Sequence, residues 1–323
     1  MKENYIEVEL DRNLLKQFGY DFKYPVDDIW FNSPNEIIYF KKNGQDVNSI
    51  DIPSTYEYNG QKYKITQIAD RTFAYNTALT SVTIPDSVTK IGRDVFMECS
   101  SLTSIKLSNN IKKIDRYTFL YCSALKSIII PDGVTFIGEG VFLGCISLTS
   151  VKIPDSVTLI DDVAFSNCCS LKSVIIPKSV TKIGHTFGFC KSLTSVEIPD
   201  GVTEIGDSAF NNCSSLTSIT IPNSVTRIGN SAFTDCSSLT SVTIPDSVTR
   251  IGDNAFADCS SLTSVTIPDS VTRIGDNAFA DCSSLTSIII PKTVTHIGAN
   301  AFKNVAHIEY HGSAVPWGAK SIN

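Results

Sequence analysis

The sequence has 323 residues, of which 42% are hydrophobic and 19% charged, a balance typical of a folded protein with a large apolar core. Its net charge is -6 and it contains no block of basic residues, which excludes nucleic-acid binding from the expected functions. No apolar run reaches the roughly eighteen residues of a membrane span, and the start, MKENYIEVEL, has no apolar signal-peptide core.

Residues 1–64 differ from the rest of the chain and are rich in aromatic side chains. The stretch DRNLLKQFGYDF predicts a short helix, and EIIYFKK predicts a strand before a turn at Asn43-Gly44. STYEYNGQKYKI predicts a hairpin around Asn59-Gly60. We expect this segment to be an N-terminal cap that covers the open edge of the structure after it. An exposed aromatic ligand site is the alternative.

From residue 65 onward a unit of twenty-three residues recurs, with leucine at its first position. Residues 239–261 read LTSVTIPDSVTRIGDNAFADCSS, and residues 262–284 are identical. One step, into Leu193, has twenty-two residues. Repetition at this period predicts a solenoid in which each unit is one coil stacked on the last. The leucines are Leu79, Leu102, Leu125, Leu148, Leu171, Leu193, Leu216, Leu239, Leu262 and Leu285.

Two short strands are predicted in each unit. LTSVTI alternates apolar and polar residues, which indicates a strand with one buried face. The proline at position seven ends that strand, and the next two residues complete a type I turn with proline at its second place. SVTRI is the second extended piece, with its valine and isoleucine directed inward.

The second half of each unit is predicted to turn sharply. Position fourteen is glycine in eight units and Asp115 or Asp161 in two, and both residue types tolerate positive φ, so we expect a left-handed corner there. DNAFAD is predicted to form a single turn with its phenylalanine in the core. The phenylalanines would form a column: Phe73, Phe96, Phe119, Phe142, Phe165, Phe187, Phe210, Phe233, Phe256, Phe279 and Phe302.

Nine of the ten cysteines occupy one repeated position, and only Cys169 stands outside it. Such regularity predicts buried free thiols that behave as small apolar groups. Zinc sites use closely spaced pairs such as C-x-x-C, and none occurs.

The pattern L-x-x-V-x-I-P-x-x-V-x-x-I-G-x-x-A-F-x-x-C-x-x resembles the BspA-like, or Treponema pallidum type, leucine-rich repeat family. The resemblance implies a right-handed solenoid of ten to eleven repeats over residues 65–307, strand-rich with short helical turns. It also implies a surface or secreted bacterial protein, since several members adhere to host proteins. Residues 308–323, with Ile308, Tyr310 and Trp317, are expected to cap the last coil.

Candidates for chemistry are few. His185 lies near Cys190, but Cys190 belongs to the buried series and no third group orients the pair. His307 and His311 share one strand face without a carboxylate ligand. Aspartate columns lack the Gly-Gly-x-Gly-x-Asp pattern of calcium-binding solenoids. We therefore expect no enzyme activity and no catalytic, metal or cofactor site.

The outward face of the first strand is the candidate binding surface. Position three is serine in every unit, whereas position five varies. In the central units position five supplies the mixture of apolar and charged groups that recognition uses, while an unselected solvated surface is the alternative. The candidate partner-binding residues are Lys106, Ile129, Lys152, Ile175 and Glu197.

These observations predict a non-enzymatic binding or adhesion module that contacts a protein or glycan ligand, including host matrix or surface molecules. A secreted or cell-surface location is expected. The alternative is a cytoplasmic protein-interaction scaffold, which free thiols and the missing leader favour. Neither nucleic acid nor a transmembrane segment is expected, and the sequence leaves the oligomeric state open.

Overall fold

The computed structural model describes residues 6–17, 20–23, 39–42 and 45–312. Eight elements precede the regular coils. They are β1 (Ile6–Leu10), α1 (Arg12–Gln17), β2 (Tyr20–Lys23), β3 (Tyr39–Lys42), β4 (Gln45–Asp46), β5 (Ser49–Asp51), β6 (Thr55–Tyr58) and β7 (Gln61–Ile68).

The predicted N-terminal helix is confirmed only in its first half. Asp11 precedes α1, and its carboxylate accepts the N–H of Leu14 at 2.7 Å, as an N-cap does. The helix prediction was wrong for residues 20–22, which belong to β2, where aromatic and charged residues alternate and pair antiparallel with β3. The strand predicted in EIIYFKK is confirmed over Tyr39–Lys42, while the Asn43-Gly44 turn lies outside the described residues.

The predicted hairpin around Asn59-Gly60 is confirmed. β6 and β7 pair antiparallel, from Tyr58 opposite Gln61 to Thr55 opposite Lys64. Asn59 and Gly60 have φ values of 51° and 73°, and two consecutive left-handed residues are what a two-residue type I′ hairpin needs.

Each coil of the array contributes one front strand and one back strand. The front strands are β8 (Ser81–Thr83), β10 (Ser104–Lys106), β12 (Ser127–Ile129), β14 (Ser150–Lys152), β16 (Ser173–Ile175), β18 (Ser195–Glu197), β20 (Ser218–Thr220), β22 (Ser241–Thr243), β24 (Ser264–Thr266) and β26 (Ser287–Ile290). The back strands are β9 (Lys90–Ile91), β11 (Lys113–Ile114), β13 (Phe136–Ile137), β15 (Leu159–Ile160), β17 (Lys182–Ile183), β19 (Glu204–Ile205), β21 (Arg227–Ile228), β23 (Arg250–Ile251), β25 (Arg273–Ile274) and β27 (His296–Ile297).

Successive coils stack as parallel strands in register. Ser218 lies opposite Ser241, and Ser241 opposite Ser264, in a front sheet that runs from β16 to β24. The back strands β17 to β27 form a second parallel sheet in which Ile251 lies opposite Ile274. The predicted solenoid is therefore confirmed, since identical positions of successive units meet each other.

A column of phenylalanine rings runs through the core, as predicted. Eleven rings, one per coil from Phe73 to Phe302, stack with centroids 5.2 to 5.6 Å apart and ring planes within 19° of parallel. Strands pair at about 4.7 to 4.9 Å, so rings at the same position of neighbouring coils come into offset stacking contact. The twenty-two-residue unit keeps Phe187 in the column.

The left-handed corner predicted at position fourteen was wrong. Positive φ occurs instead at positions sixteen and twenty, for example 55° at Asn254 and 59° at Asp258. Their N–H groups donate to Asp276 and Ala280 of the next coil at 2.7 and 2.9 Å, so the left-handed conformation directs each donor along the stack. Position fourteen needs glycine for a different reason: a Cβ on Gly252 would lie 2.6 Å from the backbone of the preceding coil.

The predicted place of proline in its turn was also wrong. The Pro245 carbonyl accepts the N–H of Val248 at 3.0 Å, so proline is the first residue of the turn. Proline still ends the front strand because it has no N–H for the ladder.

Both ends of the array carry further strands. β5 pairs in parallel with β8, with Ile50 opposite Val82, and β7 pairs with β9. We propose on this register that the first coil begins at Ser49, with the β6–β7 hairpin inserted in it. At the other end β28 (His307–Tyr310) pairs with β26, and the Tyr310 hydroxyl donates to the Val294 carbonyl at 3.2 Å. Trp317 lies outside the described residues.

Candidate binding face

The front strands present one side to the core and one to solvent. In β12 and β16 the middle residue is buried, while the serine before it and the isoleucine after it are exposed. Ile129 and Ile175 are 82% and 69% exposed. We use the term front face for the exposed surface formed by positions two, three and five of the coils.

Strand pairing places two pairs of the candidate residues opposite each other, and the stacking of the coils puts all five in one row. Ile129 lies opposite Lys152, and Ile175 lies opposite Glu197. Lys106 lies at the same position of the coil before Ile129. With about 4.7 to 4.9 Å between paired strands, the row of five residues is about 19 Å long.

A shallow groove of about 480 Å³ adjoins one end of this row. Ile175 and Glu197 line it together with Asp155, Lys178 and Asp200 from the turns that follow the strands. An apolar side chain is thus bordered by charges of both signs, which is a typical composition for the rim of a protein contact.

Position two also belongs to the front face, which the sequence analysis did not use. Between two C-terminal coils a groove of about 620 Å³ is lined by Thr263 at position two as well as by Ser264 and Thr266. In the central coils this position holds the exposed lysines Lys126 and Lys172. Both occur in units with isoleucine at position five, whereas the unit before each of them has lysine at position five. Lysine thus alternates between positions two and five, and position five alone does not reveal this pattern.

The nine cysteines of the repeated position are buried free thiols, as predicted, but they are more than apolar groups, whereas Cys169 is partly exposed. The Cys190 Sγ donates to the carbonyl of Phe165 at 3.2 Å, and the other eight thiols of the column bond in the same way to the phenylalanine of an earlier coil. Burial raises the pKa of Cys190 to about 12. The thiol is therefore protonated at neutral pH and is a poor nucleophile beside His185.

His311 near the C-terminus has a carboxylate neighbour, contrary to the sequence analysis. Glu309 lies between His307 and His311 on β28, and its Oε1 is 2.9 Å from His311 Nε2. Both partners are more than half exposed. Within residues 6–17, 20–23, 39–42 and 45–312, no group of three His, Cys, Asp or Glu side chains is arranged to hold a metal ion.

The aspartates at position fifteen connect neighbouring coils. Asp207 Oδ1 accepts the N–H of Asn230 at 2.8 Å, and Asp253 Oδ1 accepts the N–H of Asp276 at 3.0 Å. These carboxylates therefore satisfy backbone donors at the corner of each coil.

Comparison with known proteins matches residues 66–187 and 184–309 to the family described as BspA type leucine rich repeat region. The chain is similar to a leucine rich cell surface protein from Faecalibacterium prausnitzii A2-165, with 31% identity over 91% of this chain and 94% of that chain, at a TM-score of 0.53. It is also similar to a leucine-rich repeat protein from Bacteroides ovatus, with 29% identity over 92% and 87% of the two chains and a TM-score of 0.59.

The pneumococcal vaccine antigen PcpA shares the fold, with 17% identity over 97% of this chain and 100% of that chain and a TM-score of 0.53. No curated protein sequence matches significantly. In the described part of the chain, no helix has the length and apolarity to cross a membrane.

Proposed function

The chain belongs to the BspA-type leucine-rich repeat family, and from this premise we propose that it is a non-enzymatic binding module whose front face contacts a protein or glycan ligand. The observation that carries the proposal is the row formed by Lys106, Ile129, Lys152, Ile175 and Glu197. The row contains two isoleucines that are each more than two-thirds exposed, and each lies between two charged side chains. Exposed apolar groups with a polar surround are typical of interaction sites.

We also propose that the protein acts at or outside a bacterial cell surface, bound to host matrix or surface molecules. The description of the Faecalibacterium relative as a cell surface protein supports this location. Free thiols favour the alternative of a cytoplasmic scaffold, but the column thiols are buried and bonded to carbonyls. The reduced state of these buried thiols is therefore compatible with both the cell surface and the cytoplasm.

The proposal is tested with a triple variant, Lys106→Gln, Lys152→Gln and Glu197→Gln. Its matched control is Lys90→Gln, Lys182→Gln and Glu204→Gln, which makes the same charge changes on the back strands. Purified wild type and both variants are applied to an array of host matrix proteins and glycans and to a displayed library of random peptides.

The proposal expects the wild type to retain at least one ligand that the front-face variant binds at least tenfold more weakly and the control binds normally. Retention of every ligand by the front-face variant, or the absence of any ligand, contradicts it.

A further inference from the structure

The central coils carry a different charge from the coils after them. Residues 102–192 contain ten Lys and Arg against six Asp and Glu, whereas residues 193–286 contain three Arg against eleven Asp and Glu. The array is thus positive over four coils and strongly negative over the next four, within a chain of net charge -6. A partner drawn by long-range electrostatics to the central coils is anionic.

The positive charge on the front face is arranged as one lysine per coil. Lys106 and Lys152 occupy position five, while Lys126 and Lys172 occupy position two of the intervening coils. All four side chains are exposed. We call this set the lysine zigzag. Its four coils extend over about 15 Å, from the spacing of paired strands.

The lysines of the zigzag have no carboxylate partner among the described residues, unlike several basic residues of the other surfaces. Among the ion pairs of the described residues, Lys113 contacts Asp115 at 3.0 Å and Arg227 contacts Glu204 at 2.8 Å, whereas no lysine of the zigzag takes part in one. These four ammonium groups are consequently available to a ligand.

Apolar side chains lie between these ammonium groups. Ile129 follows Lys126 in one coil, and Ile175 follows Lys172 two coils later. Both isoleucines are exposed to an extent that leaves most of their apolar area in water, so a partner that covers them gains hydrophobic stabilisation.

We propose that the lysine zigzag and the two isoleucines bind an acidic segment of another protein, with apolar side chains between its carboxylates. This inference rests on the proposed function and names the partner class for that same face. A sulfated glycan or a nucleic acid supplies the anionic groups but has no aliphatic side chains to cover Ile129 and Ile175. An extended segment of about five residues spans the four coils, since a strand rises about 3.3 Å per residue.

The test uses a four-lysine variant, Lys106→Gln, Lys126→Gln, Lys152→Gln and Lys172→Gln. The matched control removes four exposed charges of the same sign from positions eleven and twelve: Lys90→Gln, Lys112→Gln, Lys182→Gln and Arg250→Gln. A displayed random-peptide library is panned on the wild type, and the enriched peptides are measured against both variants, in parallel with a heparin oligosaccharide and single-stranded DNA.

The inference expects enriched peptides that combine Asp or Glu with aliphatic residues. Their affinity falls at least tenfold in the four-lysine variant, is unchanged in the control, and weakens when NaCl rises from about 50 to about 300 mM, because exposed charges are screened. Ile129→Ser with Ile175→Ser removes the preference for aliphatic residues while the preference for acidic ones remains.

Two results overturn the inference. Tighter binding of heparin or DNA than of any peptide contradicts a protein partner. In the second result, the enriched peptides require Ile175 and Glu197 for binding and yet contain no excess of Asp or Glu. That result contradicts an acidic partner segment but leaves the proposed function intact. If no ligand depends on the front face at all, the proposed function fails as well.

Discussion

At the residue scale, an aspartate at position fifteen of one coil leaves no space for a side chain at position fourteen of the next coil. The Asp253 carboxylate occupies the space above position fourteen of the next coil, where a Cβ on Gly275 would lie 2.3 Å from its Oδ1. Asp115 follows a coil with Arg93 at position fifteen, and its own carboxylate accepts the N–H of Arg116 at 3.0 Å. The Asp115 carboxylate therefore supplies the acceptor that the aspartate at position fifteen of the preceding coil supplies to Asn230 and Asp276.

Gly252→Ala tests this packing. Its added methyl would meet Gly229 backbone atoms at 2.6 Å, and overpacking of this kind costs about 1 to 3 kcal/mol. The control is Gly133→Ala, whose nearest neighbour is the flexible Lys112 Nζ at 3.1 Å. We expect urea unfolding, followed by circular dichroism, to show a clear loss of stability for Gly252→Ala and little for Gly133→Ala. Equal effects would contradict the close-approach explanation.

The buried thiols make stability sensitive to alkaline pH. Burial raises the pKa of Cys99 and of Cys190 to about 12, above the value near 8.5 of an unfolded thiol. Below about pH 8.5 both states hold the proton, and stability is full. Between about pH 9 and pH 12 only the unfolded state ionises, so each thiol reduces the free energy of unfolding by about 1.4 kcal/mol per pH unit.

We therefore expect the urea midpoint under reducing conditions to fall as pH rises from about 8.5 to about 10.5. In the double variant Cys99→Ala with Cys190→Ala, we expect the urea midpoint to fall less steeply with pH, because two of the ionising thiols are absent. An unchanged slope in the double variant would show that ionisation of these thiols does not set the alkaline limit.

At the element scale, strands of two or three residues persist because side chains reinforce each step of the ladder. The Thr249 hydroxyl donates to the Thr226 carbonyl at 3.3 Å, and the Ser247 hydroxyl donates to the Val225 carbonyl at 2.6 Å. Where Ser108 replaces the usual proline, its hydroxyl donates to Val88. These bonds join consecutive coils at the strands and turns.

The phenylalanine column predicts a position-dependent cost of truncation. Phe210 stacks on both Phe187 and Phe233 and is fully buried, whereas Phe302 contacts only Phe279 in the column. Phe210→Ala should lower the free energy of unfolding by about 3 to 5 kcal/mol, and Phe302→Ala by less, because one side of the terminal ring has no partner ring in the described column. Denaturant unfolding measures both, and equal losses would contradict an additive column.

The sequence predicts well the environment of a position that recurs in every unit. It predicts poorly the contacts between different positions of adjacent coils. Periodicity identified the front strands, the phenylalanine column and the cysteine column because each depends on one repeated position. The exclusion between Asp253 and Gly275 depends on two positions in different coils. The same holds for Tyr121, whose ring lies where a Cβ on Gly144 would be, 2.2 Å from its Cδ1.

The missing part of the candidate site has a similar physical cause. The alternation of buried and exposed residues predicts that positions three and five point outward. It applies only within the strand, which begins at position three, so it assigned no face to Lys126 and Lys172 at position two. Stacking places position two beside the strand, as Thr263 shows in the groove it shares with Ser264 and Thr266.

At the scale of the whole molecule, regular and irregular coils have different roles in the proposed mechanism. The coils beginning at Leu239 and Leu262 are identical and extend the stack, and their stability is a sum of nearest-neighbour interfaces. The coils from Leu102 to Leu171 keep the same core but vary on the front face. On this proposal the repeated positions supply the fold, and the variable positions supply recognition.

The most direct test of this division compares two in-phase deletions of twenty-three residues each, Leu239–Ser261 and Leu148–Ser170. Binding is measured with the tightest peptide enriched on the wild type, and folding by circular dichroism. We predict that both proteins fold cooperatively, that the first binds as the wild type does, and that the second binds at least tenfold more weakly because Lys152 is lost. Equal binding by the two deletion proteins, or unfolding of either one, would contradict the account.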